Sequence, residues 1–302
     1  MGFEHCHPAV NLIYFAAVLW GTLSFDHPVF LLISYICAFA YSIKRNGVKA
    51  VIFNLILIPL IAAFALYFSS YTHFGVTVLG QNFIGNNMTA ESLLYGLVLG
   101  IRTAGMIMWF SCIFSVFTSD KVVYLFGRLS PRLSLFLSIL LRMIPRIKTE
   151  AKRINTAQSC IGRGVRQGNI FRRFLNMLRI FSILITWTID SLTQASVSMR
   201  SRGSILRGRR AFSIYRFDNR DRTYTVFTFF VLTITVMGVI LGQTGCIYDP
   251  RIILPPFTAA STIFYVGYTV LCIMPLCLEL WTEYCFRRAL KRSFRLEKTE
   301  VI

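Results

Sequence analysis

The sequence predicts an all-α integral membrane protein, with about six transmembrane helices and a cytoplasmic domain of long amphipathic helices. Three observations carry this. Hydrophobic residues make up 55% of the 302 residues and charged residues only 15%, whereas a soluble domain carries about 25% charged residues. The charge is segregated: 18 of the 32 Lys and Arg lie between Arg142 and Arg222, against four acids there. Six stretches, 9–25, 28–43, 50–69, 92–117, 223–243 and 257–281, are nearly free of charge. A bilayer core about 30 Å thick needs about 20 such residues.

The first two stretches are short. They are joined by Ser24-Phe25-Asp26-His27-Pro28, a link tight enough to make a helical hairpin. Met1 to Pro8 lacks the basic segment of a secretory signal, so the first stretch is expected to remain as a span. Loop charge orients the spans. Lys44 to Lys49, the region 118–222 and the tail with Arg287, Arg288, Lys291, Arg292 and Arg295 are basic. Ser70 to Ala90 has no Lys or Arg, and Gly242 to Pro256 has only Arg251. Under the positive-inside rule both termini then lie in the cytoplasm. Three parts follow. Residues 1–117 form an N-terminal membrane domain of four spans and 118–222 the cytoplasmic domain. Residues 223–302 form a C-terminal membrane domain of two spans with a basic tail.

The net charge of +19 does not point to nucleic acid, because it is concentrated where a cytoplasmic loop belongs. A basic face there suits anionic lipid headgroups, so membrane lipids are the expected partner. A stripe of apolar residues at steps of three and four also runs through the basic region: Phe171, Phe174, Leu178, Phe181, Ile185, Ile189, Leu192, Ala195 and Met199. It predicts one long amphipathic helix whose stripe packs against other helices. Aromatics such as Phe212, Tyr215 and Phe217 would serve a nucleic-acid binder, but a packed stripe disfavours that reading. An earlier helix is expected from Ile147 to Ile161, after a break at Pro145.

Chemistry is sparse. The eight cysteines form no Cys-x-x-Cys pair and read as small apolar residues. His5, His7, His27 and His73 are scattered; a metal site at His5 and His7 is the weaker reading. No Gly-x-x-x-x-Gly-Lys-[Ser/Thr] and no His-Glu-x-x-His occur, so the chain is not expected to hydrolyse ATP or to be a zinc protease. No cofactor is expected. Arg102, inside the fourth stretch, is costly in lipid and is a functional candidate on that ground. It is expected to face Glu91 or a partner protein, or to snorkel.

Two sites remain: Gly162-Arg163-Gly164 and Ser201-Arg202-Gly203. Each closes a predicted amphipathic helix with an Arg between small residues. The plain account is a helix C-terminus, where Gly and a basic residue are both favoured. The functional account is a pair of anchors, since an Arg fork on a small-residue tip can enter a groove of a partner. Residue chemistry alone leaves these level.

With these motifs, Leu141-Arg142-Met143-Ile144-Pro145-Arg146, Ala157-Gln158, the Gly168-Asn169 turn and Phe117-Thr118-Ser119-Asp120-Lys121, the chain resembles the T component of energy-coupling factor (ECF) transporters. That family includes the cobalt-transport permease subunit. The resemblance implies that the two motifs end crossed coupling helices, docking on two ABC ATPase subunits of the EcfA type. It implies that ATPase closure acts through these helices on a separate substrate-binding S component, for uptake of a vitamin, metal ion or similar micronutrient. The setting implied is the bacterial cell membrane. Gly162 and Ser201 stand where the family has Ala, Ser204 where an aromatic often follows, and the Val165-Arg166-Gln167 connection is short. The competing reading is a self-sufficient channel or secondary transporter. It would show internal repeats and polar, broken helices at mid-membrane; the six stretches show no convincing repeat and are mainly Leu, Ile, Val and Phe there.

Overall fold

A computed structural model of the chain describes residues 2–72, 74–81, 85, 87–203 and 215–300. Its helices are α1 (Pro8–Ser24), α2 (Pro28–Asn46), α3 (Val48–Tyr71), α4 (Ala90–Val116), α5 (Ser119–Leu129), α6 (Pro131–Cys160), α7 (Ile170–Ser201), α8 (Asn219–Ile240) and α9 (Ala259–Glu300). A two-stranded hairpin, β1 (Val78–Gln81) and β2 (Asn87–Thr89), lies between α3 and α4. The chain divides into two compact units. One holds Met1–Thr118 and Tyr215–Ile302, the other Ser119–Ile214.

In the first unit, α1 and α2 begin alike. His7 and His27 each precede a proline at the first helical position, where its missing N–H removes nothing. Each imidazole Nδ1 accepts from a backbone N–H two residues on, Ala9 at 3.2 Å and Val29 at 3.3 Å. So His7 and His27 cap helices, and among the described residues no three His, Cys, Asp or Glu gather to hold a metal ion. His73 lies outside the described residues. Lys44 to Lys49, read as a loop, is helical apart from Gly47, whose φ of +66° turns α2 into α3. Only glycine adopts that conformation without strain.

No two helices pack more extensively than α3 and α4. A Cβ on Gly96 would lie 2.8 Å from the Ala65 Cα, and one on Gly100 3.0 Å from the Ile61 Cα. Small residues let membrane helices approach this closely, and dispersion between backbones replaces the hydrophobic effect that lipid abolishes. The core joins α1, α2, α4 and α9 through Tyr14, Phe15, Phe30, Trp109 and Tyr268. Two hydrogen bonds cross it: the Trp109 indole N–H donates to Ser34 Oγ at 3.0 Å, and the Tyr14 hydroxyl to the Cys272 carbonyl at 3.3 Å. The Asp221 carboxylate accepts the backbone N–H groups of His7 (3.2 Å) and Asp218 (3.3 Å), fixing the N-terminus to the start of α8.

The second unit is α5, α6 and α7, with α6 packed on both others. The expected break at Pro145 is absent, and α6 runs unbroken for 30 residues. Proline removes one backbone bond; the many others in so long a helix, with the burial of Met143, outweigh that loss. Arg146 lies over the Trp187 ring, 5.3 Å from its centroid, tying α6 to α7. The α7 stripe is not covered as expected. Phe171 is 72% and Ile189 58% exposed, and Phe174, Leu178, Phe181, Ile185 and Leu192 are exposed too.

Six described helices are long and apolar enough to cross a membrane: α2, α3, α4, α7, α8 and α9 over Ala259–Lys291. The chain is therefore an all-α, multi-pass membrane protein. The six differ in one member from those read in the sequence. At 17 residues, α1 is about 25 Å long and falls short. By length and composition α7, read as a helix outside the lipid, meets the criterion.

Candidate functional site

At the first motif, α6 ends at Cys160 and the chain turns through Ile161 into Gly162, whose φ is +76°. The Gly162 N–H donates to the Ser159 carbonyl at 3.1 Å and that of Arg163 to the Gln158 carbonyl at 2.9 Å. These bonds satisfy carbonyls that a helix end leaves open. Gly164 is needed for another reason: a Cβ there would lie 2.8 Å from the Ser159 Cβ. Gln167 fastens the loop, its Oε1 accepting the Gly164 N–H at 2.9 Å and its Nε2 donating to the Ser159 carbonyl at 3.1 Å. Asn155 accepts the Val165 N–H at 3.1 Å, and Asn176 on α7 donates to the Gly164 carbonyl at 3.2 Å. The result is a fixed tip from which Arg163 projects, exposed. The Gly168-Asn169 turn follows, with Gly168 at φ +91° and the Asn169 side chain capping α7.

At the second motif, Arg202 is itself the residue closing α7, and Gly203 takes φ +73° with its N–H on the Arg200 carbonyl at 3.0 Å. Ser201 Oγ donates to the Ser198 carbonyl at 2.9 Å. Ser204 and Phe212 lie outside the described residues. The two motifs, alike as sequence, are therefore offset. Arg163 follows its left-handed glycine and Arg202 precedes one. Among the described residues neither arginine forms an ion pair. The Asn176 contact places the first tip beside the start of α7, while Arg202 ends that helix. The rise of a helix over residues 176–202 separates the two sites by roughly 40 Å.

Arg102 occupies the middle of α4, and its partner is not Glu91. Eleven residues of helix separate them by about 16 Å. Glu91 instead takes the Thr77 hydroxyl at 2.7 Å. Arg102 pairs with the Asp26 carboxylate and donates to the Phe25 carbonyl at 2.8 Å. The same α1–α2 turn gives its Asp26 and His27 N–H groups to the Thr244 carbonyl (3.2 and 3.0 Å) and accepts the Tyr248 hydroxyl on the Asp26 carbonyl at 2.7 Å. Arg102 thus clamps α4 to a turn that the α8–α9 connection also holds. Sequence reasoning missed Asp26 as the partner. Its one signal was an acid in a turn too short to be free.

A second ionic cluster lies where α2 ends. Arg45 pairs with Glu4 at 2.6 Å and donates to Ser115, and Lys44 pairs with Glu283 at 2.6 Å. They border a cleft of about 620 Å³ with Glu279 on its wall. Of the aromatics noted in the basic region, Phe217 meets the His7 ring edge-on at 5.3 Å.

The family model of CbiQ, described as cobalt transport protein, matches residues 6–206. The match runs through α1 to α7 and includes both arginine motifs and Arg102. No curated protein matches the chain.

Proposed function

This chain belongs to the CbiQ family of cobalt transport proteins, and from that membership we propose that it is the transmembrane coupling subunit of an ECF-type ATP-driven importer. It borrows two ABC ATPase subunits and acts on a separate S component that chooses the micronutrient. The observation that carries this reading is the placing of Arg163 and Arg202. Both are exposed, both sit on glycine-turned ends of long helices, and both lack an ionic partner among the described residues. Roughly 40 Å apart along α7, they suit two docking grooves on two subunits better than one binding pocket. In this reading the shorter apolar helix α1 crosses with α2, α3, α4, α8 and α9 while α7 stays outside the lipid core, so that 118–222 is the cytoplasmic coupling region, both termini are cytoplasmic and the cell membrane is the site of action. The exposed stripe of α7 is the surface that the S component and lipid cover.

The test is co-purification with co-expressed ATPases. Losing one partner of a buried charged pair costs about 2–5 kcal/mol, roughly 30-fold or more in affinity. Arg163→Glu or Arg202→Glu should weaken assembly, with residual binding through the remaining site. The double variant should reach the membrane and lose the ATPases. Arg172→Glu and Arg179→Glu, at positions that are also exposed and basic, should do much less. Equal loss from all four would mean diffuse electrostatics and no anchors. For orientation, a cysteine at Asp249 should react with an impermeant thiol reagent from outside and one at Asn169 should not.

A further inference from the structure

We propose that the β1–β2 hairpin is a membrane-docking element that lies in the bilayer interface beside α3 and α4. No strands are expected here from the residue pattern, and the hairpin is unlike a soluble one. Ser70 to Ala90 contains no Asp, Lys or Arg and one histidine. Val76, Val78 and Leu79 are 56%, 57% and 66% exposed, and every residue of β1 is exposed. An isolated two-stranded hairpin is marginal in water, and one with bare apolar side chains needs a cover.

Position identifies the cover. The hairpin starts seven residues after α3 ends and finishes where α4 begins. Both are long and apolar enough to cross a membrane and pack together at Gly96 and Gly100 of α4, so the hairpin stands at the membrane boundary. It is also held there. The Ala90 N–H donates to the Thr77 carbonyl at 3.0 Å, the Thr89 hydroxyl to the Phe74 carbonyl at 2.6 Å, and Thr77 to Glu91 at 2.7 Å. The ladder pairs Val78 with Thr89 and Gly80 with Met88, leaving Leu79 as the extra residue of a bulge. A bulge disrupts the ladder and re-aims a side chain. Exposed Tyr67 and Tyr71 end α3 on the same boundary, as aromatic residues do at headgroup level. Leu55, Ile58 and Leu66 of α3 are exposed as well, so the helix that leads to the hairpin offers apolar side chains to lipid. Hydrocarbon cannot satisfy the free edge of a strand. The hairpin therefore rests at interface depth, with its backbone at the headgroups and Val78 and Leu79 reaching the acyl boundary. An uncharged surface of this kind selects the lipid interface in general, without preference for anionic headgroups.

Nitroxide labels on single cysteines test this in the full chain, reconstituted in phosphatidylethanolamine–phosphatidylglycerol nanodiscs, with Cys160, Cys246, Cys277 and Cys285 changed to Ser. Leu79→Cys and Val78→Cys should show accessibility to oxygen severalfold above that to a water-soluble nickel chelate. Asp249→Cys, in the exposed α8–α9 connection, should show the reverse. With the label at Val76, Leu79→Asp should abolish the oxygen preference and Leu79→Phe should retain it. The proposal is overturned if Leu79 favours the chelate as Asp249 does, since the hairpin is then solvated. It is equally overturned if the label is immobile and shielded from both reagents, since a protein surface then covers it.

Discussion

Replacing Arg102 by Met removes two interactions of different kinds, and their sizes can be separated. The pair with Asp26 is half-solvated, with Asp26 54% exposed against 17% for Arg102, so its contribution is about 0.2–1 kcal/mol. The guanidinium bond to the Phe25 carbonyl joins a charged donor to a buried residue and contributes about 1.5–3 kcal/mol. Arg102→Met should therefore cost about 2–4 kcal/mol and Asp26→Asn no more than about 1 kcal/mol. At about 2 °C per kcal/mol for a chain of this size, the apparent Tm falls by about 4–8 °C in the first case and about 2 °C or less in the second. The assay is thermal unfolding of the purified protein in detergent, followed by tryptophan fluorescence. Equal losses in the two variants would refute the reasoning, because the carbonyl bond would then contribute nothing. An Arg102→Met protein of unchanged Tm that fails in uptake would refute it differently, making Arg102 a transport residue and not a clamp.

Gly100→Val should separate α3 from α4, because its Cβ meets Ile61 backbone, at a cost of about 1–3 kcal/mol; Gly105→Ala, with open space at its Cβ, is the neutral control in the same melting assay. Burial holds the His27 pKa below its ordinary value, so the unfolded chain binds the proton more readily. Stability is then lost as pH falls from about 6.5 toward the folded pKa, and His27→Asn, which keeps a capping acceptor, should flatten that part of the Tm–pH profile. Ile185→Asp, on the exposed stripe of α7, should leave yield and Tm of the isolated chain unchanged and reduce capture of a co-expressed S component; a misfolded isolated chain would show that the stripe is already covered.

Several errors of sequence reading share a cause. Pro145 suggests a helix break because proline's cost is local and visible, whereas the bonds and packing that outweigh it are spread over 30 residues. Lys44 to Lys49 read as a loop by charge, although one glycine suffices to turn α2 into α3. The α7 stripe suggests a packed helix, but periodicity reveals an apolar face and not what meets it. The hairpin escaped notice because β1 and β2 are four and three residues long, too short for any alternation to register.

Properties that sum along a stretch of chain are legible in one dimension. Apolar runs with almost no charge require helices in lipid, since a backbone there must satisfy its own hydrogen bonds. The segregation of basic residues marks a region apart, and glycines after Cys160 and before Ser204 mark two helix ends. Which groups meet depends on the folded arrangement. Arg102 finds Asp26 76 positions away because the α1–α2 turn and the middle of α4 converge. Gly96 and Gly100 matter because α3 lies against them. Arg163 and Arg202 differ in register because each helix ends where its own capping bonds close. Hydrophobicity acts through the local sum of exposed area and can be read in one dimension, whereas an ion pair, a close backbone approach or a cap depends on positions a few ångströms apart in three.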